Sequence, residues 1–198
     1  MTLGITGGLG CGKSTAARLF EQRGYRLLDS DALVREQVLT TAEVKEALRQ
    51  RYGEAVFSAD GAVSRPALAA RVFVNDTELR WLESLTHPRV FALWRGAMEA
   101  ETAVDWVLET PLLFEKSLQN WFDFTVCVAC APEEQLLRLE RRGLSRELAG
   151  QRISKQLPLA RKIELADFVL WNEGSAEFLQ VQVDRLIDTL APGVHRPS

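Results

Sequence analysis

Short apolar runs bounded by turn residues alternate along this chain with longer segments whose apolar positions recur at helical spacing. That alternation is typical of an α/β fold built on a largely parallel sheet. Between the first two apolar runs, residues 13–23 carry an apolar stripe that stops before Gly24, so the chain begins with a predicted βαβ unit. The apolar runs predict five core strands, at residues 2–6, 25–29, 104–109, 124–130 and 167–170.

The region between the second and third predicted strands, residues 31–101, shows no convincing strand pattern. Two residue pairs in it, Thr40 with Glu43 and Asn75 with Glu78, have the spacing of helix capping boxes. We therefore predict that about 31–101 form a helical insertion in the sheet domain.

A length of 198 residues fits one domain, and neither a repeat nor a long linker divides the chain. We predict a core made of residues 1–30, 102–137 and 166–198, which carries the sheet and a final helix capped by Ser175. A second helical stretch, about 138–165, is set into this core before the last strand.

Charge and composition narrow the class of protein. The net charge of -3 gives no general attraction to nucleic acid or to an anionic membrane, so any phosphate binding must be local. The longest apolar stretch, residues 124–131, is far too short to span a membrane, and the first residues lack the basic start of a secretory signal. Three cysteines are too few for a disulfide scaffold. We predict a cytoplasmic protein.

The strongest chemical signal is the run from Gly7 to Ser14, GGLGCGKS, which matches the G-x-x-x-x-G-K-[ST] pattern between a predicted strand and a predicted helix. Its glycines let backbone N–H groups wrap a phosphate at a helix N-terminus. Lys13 is expected to reach the β- and γ-phosphates of a nucleotide, and Ser14 to ligate Mg²⁺. The candidate nucleotide-binding residues are Gly8, Gly10, Cys11, Gly12, Lys13, Ser14 and Thr15.

A P-loop predicts nucleoside triphosphate binding but not the reaction, so a GTPase, an ATPase motor and a small-molecule kinase are all open at this point. The chain contains neither D-x-x-G nor N-K-x-D, the switch and guanine-reading motifs of GTPases. It also lacks the second nucleotide motif and the assembly module of a motor. A kinase needs a P-loop core, a substrate-binding insertion and a basic lid, and the pattern predicts all three.

The predicted lid is the stretch at about 138–165. Residues 138–162 hold eight basic and two acidic side chains, a net charge of +6. Such segregation favours a flap that meets polyphosphate, although a solvated pair of basic helices is the alternative. Charge alone does not rank the arginines, and Arg138 and Arg142 are the candidates for contact with the transferred phosphate.

Carboxylates follow two predicted strands at the edge where α/β enzymes assemble their sites. Asp31 is placed to orient an attacking hydroxyl or accept its proton, and Asp29 to support a metal-bound water. The alternative is that Asp29 or Ser30 merely caps the next helix. Glu109 ends the third strand and could hold a substrate group or a magnesium-bound water, or simply serve as a turn residue.

The cysteines divide into two groups. Cys127 and Cys130 have a C-x-x-C spacing but lie in a predicted strand, where side chains three residues apart point to opposite faces. We interpret both as buried core residues and not as a shared metal or redox pair. Cys11 lies between P-loop glycines, near a helix N-terminus and Lys13, which favours a lowered thiol pKa and ready oxidation.

Six stretches together carry a resemblance to a known family: residues 6–15, 29–31, 87–88, 111–115, 152–159 and 166–174. In this order they resemble the dephospho-CoA kinase family over nearly the whole chain. The resemblance implies ATP and Mg²⁺, an α/β P-loop fold with strand order 2-3-1-4-5, and helical CoA-binding and lid subdomains. It also implies Asp31 as the base, Asn172 near adenine, and His87, Glu109, Pro111 and Leu112 near the acceptor. His87-Pro88 either breaks a helix and shapes the CoA pocket or marks a bend.

The implied reaction is transfer of the ATP γ-phosphoryl group to the ribose 3′-hydroxyl of dephospho-CoA. Two rivals stay open: a kinase of another small alcohol or nucleoside monophosphate, and a module that binds ATP and a protein partner without catalysis. The expected partners are small molecules only, with neither nucleic acid nor membrane, and the expected state is a monomer or weak homo-oligomer.

Overall fold

A computed structural model describes residues 1–72 and 74–190, except for the side chain of Asp31. Its sheet has five strands in the order β2-β3-β1-β4-β5. β1 pairs in parallel with β3 and with β4, and β4 pairs in parallel with β5. The predicted strands and their order are therefore confirmed, with ends that move by two residues at most. The strands are β1 (Thr2–Gly7), β2 (Arg26–Asp29), β3 (Trp106–Glu109), β4 (Phe124–Ala129) and β5 (Phe168–Trp171).

Helices fill the connections between these strands, as an α/β fold requires. The α-helices are α1 (Lys13–Gln22), α2 (Ser30–Leu33), α3 (Ala42–Tyr52), α4 (Arg65–Val72), α5 (Asp76–Ala100), α6 (Pro132–Arg141), α7 (Arg146–Ser154), α8 (Leu159–Leu165) and α9 (Ala176–Leu190). A π-helical turn covers Val34–Val38, and 3-10 turns cover Gly53–Val56 and Gln119–Trp121.

Contacts divide the chain into two compact units. Among the described residues, the first unit comprises 1–28 and 103–190, and the second lies within Asp29–Thr102. In the first unit both faces of the sheet are covered, so its strands are continuously apolar instead of alternating. Leu3, Ile5 and Val126 are fully buried in one core cluster with apolar side chains of α1 and α9.

The second unit is helical, and its capping differs in part from the prediction. The cap of α3 is Thr41, whose hydroxyl accepts from the Val44 backbone N–H at 3.4 Å, so the box predicted from Thr40 is wrong. The two threonines are adjacent, and the sequence pattern does not decide which one begins the helix. Asn75 does cap α5, by accepting from Thr77 N–H at 2.8 Å.

A helix break at His87-Pro88 is contradicted, because α5 runs through Pro88 without interruption. A proline removes one helical hydrogen bond, but burial on the same helix face continues on both sides of it, at Thr86, Val90 and Trp94. The His87 ring lies 5.7 Å from the ring of Phe91, one turn further along.

Candidate active site

The turn between β1 and α1 depends on its glycines for close packing. Gly12, the residue before α1, has φ 94°, and a Cβ on it would lie 2.2 Å from Asn172 Nδ2. A Cβ on Gly8 would lie 2.1 Å from Gln135 Nε2. Neither separation is possible between real atoms, so the Asn172 and Gln135 side chains lie where they do against the loop only because these positions are glycine.

Lys13 is folded into this turn. Its ammonium group is buried and donates to the carbonyl oxygens of Gly8 at 3.0 Å and Gly7 at 3.4 Å. Desolvation by burial lowers the pKa of Lys13, and the negative charge of Glu109 opposes that shift. The lysine of the P-loop therefore lies between the loop backbone and the end of β3.

Ser14 and Glu109 are brought together from positions 95 residues apart. The Ser14 hydroxyl donates to Glu109 Oε1 at 3.1 Å, at the point where α1 begins and β3 ends. Thr15 follows in the first turn of α1 and is exposed. The site thus holds a hydroxyl and a carboxylate side by side at the carboxyl edge of the sheet, which is the oxygen chemistry that suits Mg²⁺.

Two side chains hold the carbonyl of Cys11 from outside the loop. Asn172 Nδ2 donates to Cys11 O at 2.8 Å, and Arg138 Nη1 does so at 3.5 Å. Arg138 Nη2 also donates to Asn172 O at 2.8 Å, which ties α6 to the end of β5. Arg142 ends the same helix, but it is exposed and has no described contact with the loop.

Sequence reasoning did not identify Gln135, which is a buried part of the site. Its side chain is only 4% exposed, and Nε2 donates to the Leu9 carbonyl oxygen at 2.9 Å. The only signal in the sequence is position: Gln135 lies in the first turn of the helix after β4, and β4 is a neighbour of β1 in the sheet. Such a position does not by itself distinguish a loop contact from an ordinary helix residue.

Lys162 is one of the eight basic residues of the predicted lid, but the structure shows that it does not lie on the surface. The side chain is fully buried, 2.9 Å from Glu115 Oε1, and it donates to Pro111 O at 2.7 Å. Glu115 Oε1 also accepts from the Leu157 backbone N–H at 2.9 Å. This ion pair ties α8 and the segment before it to the loop after β3.

The loop after β3 contains two of the predicted substrate residues. The Pro111 ring is exposed, while its carbonyl accepts from Lys162 and, at 3.3 Å, from the Thr6 hydroxyl. Leu112 is half-buried. Among the described residues, Thr110 Oγ1 and Glu115 Oε2 are buried polar atoms without a hydrogen-bond partner. The loop therefore contains two buried side-chain oxygen atoms without a hydrogen-bond partner, as well as the Pro111 carbonyl oxygen, which accepts two hydrogen bonds.

The three cysteines are all buried, which confirms the interpretation of Cys127 and Cys130 as core residues. An unforeseen contact joins Cys130 Sγ to Cys11 Sγ at 3.4 Å. The hydrogen bond from Cys130 is the main reason that the pKa of Cys11 falls to about 7, whereas burial raises the pKa of Cys127 to about 12. The expected lowering at Cys11 is therefore present, with Cys130 as its principal cause and Lys13 as a smaller one.

Asp29, the last residue of β2, and Asp31, two residues further on, have different outcomes. Asp29 Oδ1 accepts from the Ala32 backbone N–H at 3.0 Å, which is the capping role given above as the alternative. Asp31 lies in α2, and its side chain is outside the described part of the structure.

The described part of the chain, residues 1–72 and 74–190, contains no cluster of three or more His, Cys, Asp or Glu side chains suited to a metal ion. None of its helices is long and apolar enough to cross a bilayer. An oxygen pair such as Ser14 with Glu109 is still sufficient for Mg²⁺, which proteins usually hold through one or two oxygens and the phosphates of a substrate.

Comparison with known proteins gives one consistent family. The family model described as dephospho-CoA kinase matches residues 1–177. The dephospho-CoA kinase of Thermosynechococcus vestitus is 42% identical over 195 residues, which are 98% of this chain and 96% of that protein. A solved Thermus thermophilus protein superposes with a TM-score of 0.82 at 37% identity, over 96% of this chain and 98% of its own. Dephospho-CoA kinase from Campylobacter jejuni shares the fold, with a TM-score of 0.72 at 22% identity over 97% and 98% of the two chains.

Proposed function

This chain belongs to the dephospho-CoA kinase family, whose reaction is the last step of coenzyme A synthesis, and from that premise we propose how its own residues carry out the transfer. The ATP γ-phosphoryl group passes to the ribose 3′-hydroxyl of dephospho-CoA, so a new P–O bond forms as the bond to the ADP oxygen breaks. The observation that carries the assignment of residues is the convergence of Lys13, Ser14, Glu109, Arg138 and Asn172 on one P-loop.

The P-loop binds the phosphates of ATP through backbone N–H groups and Lys13. In the structure described here the Lys13 ammonium donates to two carbonyl oxygens of its own loop. Phosphate oxygens are stronger, charge-assisted acceptors, so Lys13 exchanges these carbonyls for the β- and γ-phosphates. The same negative charge reverses the lowering of the Lys13 pKa, which keeps the ammonium protonated during transfer.

Ser14 and Glu109 are the residues we assign to Mg²⁺, Ser14 directly and Glu109 through a bound water. Asp29 would hold a further water of the ion. When bound there, Mg²⁺ would supply positive charge against the negative charge that develops on the transferred phosphate. The support is the 3.1 Å contact between a hydroxyl and a carboxylate at the start of α1.

Asp31 is the proposed general base. It follows β2 by two residues and lies in the first turn of α2. Its carboxylate orients the 3′-hydroxyl and accepts the proton as the P–O bond forms. In phosphoryl transfer the base acts late, so orientation of the hydroxyl accounts for much of its effect.

The predicted subdomains have separate tasks in this proposal. Residues at about 31–101, with His87, bind dephospho-CoA. Pro111 and Leu112 of the loop after β3 are also assigned to the acceptor. The basic stretch at about 138–165 closes over the phosphates, with Arg138 and Arg142 near the transferred group. Closure excludes water, which protects ATP from hydrolysis. Asn172 contacts Cys11 O from the end of β5, which supports an adenine site beside it.

We further propose that the enzyme acts in the cytoplasm on small molecules, as a monomer or weak homo-oligomer, and binds neither nucleic acid nor membranes. A net charge of -3 provides no general field for either polyanion. Light scattering of the purified protein over a range of concentrations tests the oligomeric part of this proposal.

Steady-state kinetics of Asp31→Asn test the assignment of the base. We expect kcat to fall by at least about 100-fold, because proton transfer by a positioned side chain is worth about 10²–10⁴ in rate. The affinity for ATP, measured by calorimetry, should change less than threefold. The matched control is Asp188→Asn, which neutralises an exposed aspartate on α9 and should leave kcat unchanged. Near-normal turnover of Asp31→Asn would contradict the assignment.

A further inference from the structure

A thiol of the nucleotide-binding loop contacts a thiol that follows β4. Cys11 lies between Gly10 and Gly12 of the P-loop, Cys130 follows β4, and their sulfur atoms are 3.4 Å apart. Both side chains are buried, with 0% and 2% exposure. A pair of thiols at this separation in one buried contact needs only a small closure to reach the S–S bond length of about 2.05 Å.

We propose that Cys11 and Cys130 form a reversible disulfide on exposure to a hydroperoxide, and that this bond prevents ATP from binding to the P-loop. The inference rests on the proposed function, because the loop that it modifies is the one that binds ATP. It adds a modification site to the reaction described above.

The chemistry balances with a hydroperoxide as the oxidant. The Cys11 thiolate attacks one peroxide oxygen and becomes a sulfenic acid, and the other oxygen leaves as hydroxide or alkoxide. The Cys130 sulfur then attacks the Cys11 sulfur, the S–S bond forms, and the sulfenic oxygen leaves as water. In total two thiols lose two electrons and two protons, and the peroxide is reduced to water, or to water and an alcohol.

The electrostatics of the pair assign the two roles. The hydrogen bond from Cys130, aided by Lys13, lowers the pKa of Cys11 to about 7, so a large fraction is thiolate at neutral pH. The same hydrogen bond raises the pKa of Cys130, which keeps it protonated until Cys11 has been oxidised. Burial raises the pKa of Cys127 to about 12, so that thiol is a natural control.

The consequence for ATP follows from the contacts of Cys11. Its N–H donates to Gly8 O at 3.2 Å, and its carbonyl accepts from Asn172 and Arg138. Drawing the two sulfurs together by roughly 1.4 Å pulls this segment toward β4. The backbone N–H groups that must surround a phosphate then lose their common orientation.

The experiment treats the reduced protein with graded hydrogen peroxide, blocks free thiols, and measures cross-linked peptides by mass spectrometry beside calorimetric ATP affinity. We expect a Cys11–Cys130 peptide, a loss of ATP affinity of at least tenfold in the cross-linked fraction, and recovery with dithiothreitol. The rate of cross-linking should increase from pH 6 to pH 8 as Cys11 ionises. Cross-linked protein that binds ATP normally, or complete oxidation of Cys11 without the cross-link, overturns the proposal.

Two variants sharpen the test. Cys130→Ser should form no cross-link and keep its ATP affinity at a dose that inactivates the unaltered chain, whereas Cys127→Ser should respond like the unaltered chain. If Cys130→Ser does not fold, the unaltered chain provides the test. The fraction of protein that binds ATP must then equal the uncross-linked fraction at every peroxide dose. Turnover of dephospho-CoA by the reduced protein is measured first, so a failure of the kinase assignment is distinct from a failure of the disulfide.

Discussion

Two groups of cations in the basic segment, residues 138–162, carry the same charge in very different surroundings. Arg138 and Lys162, the anchored cations, bond to backbone carbonyls of the P-loop region and the loop after β3. The second group, the exposed cations, lies on the surface of the segment. Its members are Arg141, Arg142, Arg152 and Lys155. Arg146 and Arg161 are exposed too, but they pair with Glu133 and Glu164. A count of charges in a predicted lid therefore does not separate two kinds of residue. Some of them hold the site together, and others are exposed and available to a substrate.

The physical basis of the difference is desolvation. A fully buried ammonium such as Lys162 loses its hydration, and only a good geometry with Glu115 and Pro111 O offsets that cost. An exposed guanidinium keeps its hydration shell, so it has little desolvation cost before a phosphate binds. Substitutions should therefore change folding stability at the anchored cations and catalysis at the exposed ones.

Lys162→Met should give the largest change in folding stability. It leaves Glu115, whose side chain is 18% exposed, without its cation, and breaking a buried pair costs about 3–5 kcal/mol in free energy of unfolding. Urea unfolding followed by circular dichroism measures this. The double variant Lys162→Met, Glu115→Leu should recover most of the loss, because no buried charge remains. A loss below about 1 kcal/mol in the single variant would show that Lys162 is not anchored as described.

Arg138→Ala should have an intermediate effect on stability and a clear effect on ATP. It removes hydrogen bonds to Cys11 O and Asn172 O, and a hydrogen bond to a charged group is worth about 1.5–3 kcal/mol. We expect KM for ATP to rise about tenfold or more in steady-state assays. The control Arg138→Lys keeps the charge without the planar fork and should rescue only part of the loss. An unchanged KM in Arg138→Ala would remove Arg138 from the site.

Arg142→Ala should leave the free energy of unfolding within about 0.5 kcal/mol of the unaltered chain, because the side chain is exposed. If Arg142 stabilises charge on the transferred phosphate, kcat falls by tenfold or more while stability stays constant. Parallel kinetics and urea unfolding separate the two effects. Arg65→Ala, an exposed arginine at the start of α4, is the matched control and should change neither quantity. Normal kcat in Arg142→Ala would assign Arg142 to the solvated surface.

The smallest effect is expected for a partly exposed ion pair in the second unit, Arg51 with Glu78. Hydrogen bonds from Arg51 and Tyr52 lower the pKa of Glu78 from 4.5 to about 2. Because the folded-state pKa is the lower one, the stability contributed by Glu78 is present above pH 4.5 and is lost as pH falls toward 2. The difference in free energy of unfolding between the unaltered chain and Glu78→Gln should shrink as pH falls from 5.5 to 3.5. A constant difference over that range would contradict the pairing.

The sequence predicted the sheet and the P-loop well, because both depend on local patterns. Continuous apolar runs identify buried strands. The motif GGLGCGKS by itself predicts a phosphate-binding turn between a strand and a helix. Ser14 and Glu109 were expected at the same edge of the sheet, and their contact follows from the strand order. These predictions required no knowledge of distant side-chain packing.

The errors and omissions have a common physical origin in long-range contacts. Nothing local in the sequence indicates that Lys162 is buried against Glu115, or that Cys130 reaches Cys11 across 119 positions. Gln135 is missed for the same reason. The cap at Thr41 is a local error of one residue, and the uninterrupted helix at Pro88 shows tertiary packing overriding a helix-breaking residue.

The most direct test of the central claim is ADP formation from ATP and Mg²⁺ with dephospho-CoA as acceptor, beside AMP, adenosine and shikimate, and with mass analysis of the product. The account predicts turnover with dephospho-CoA alone and one added phosphate on the ribose 3′-oxygen. Turnover with another acceptor and none with dephospho-CoA would contradict the acceptor assignment, and ATP binding without any transfer would contradict the reaction itself.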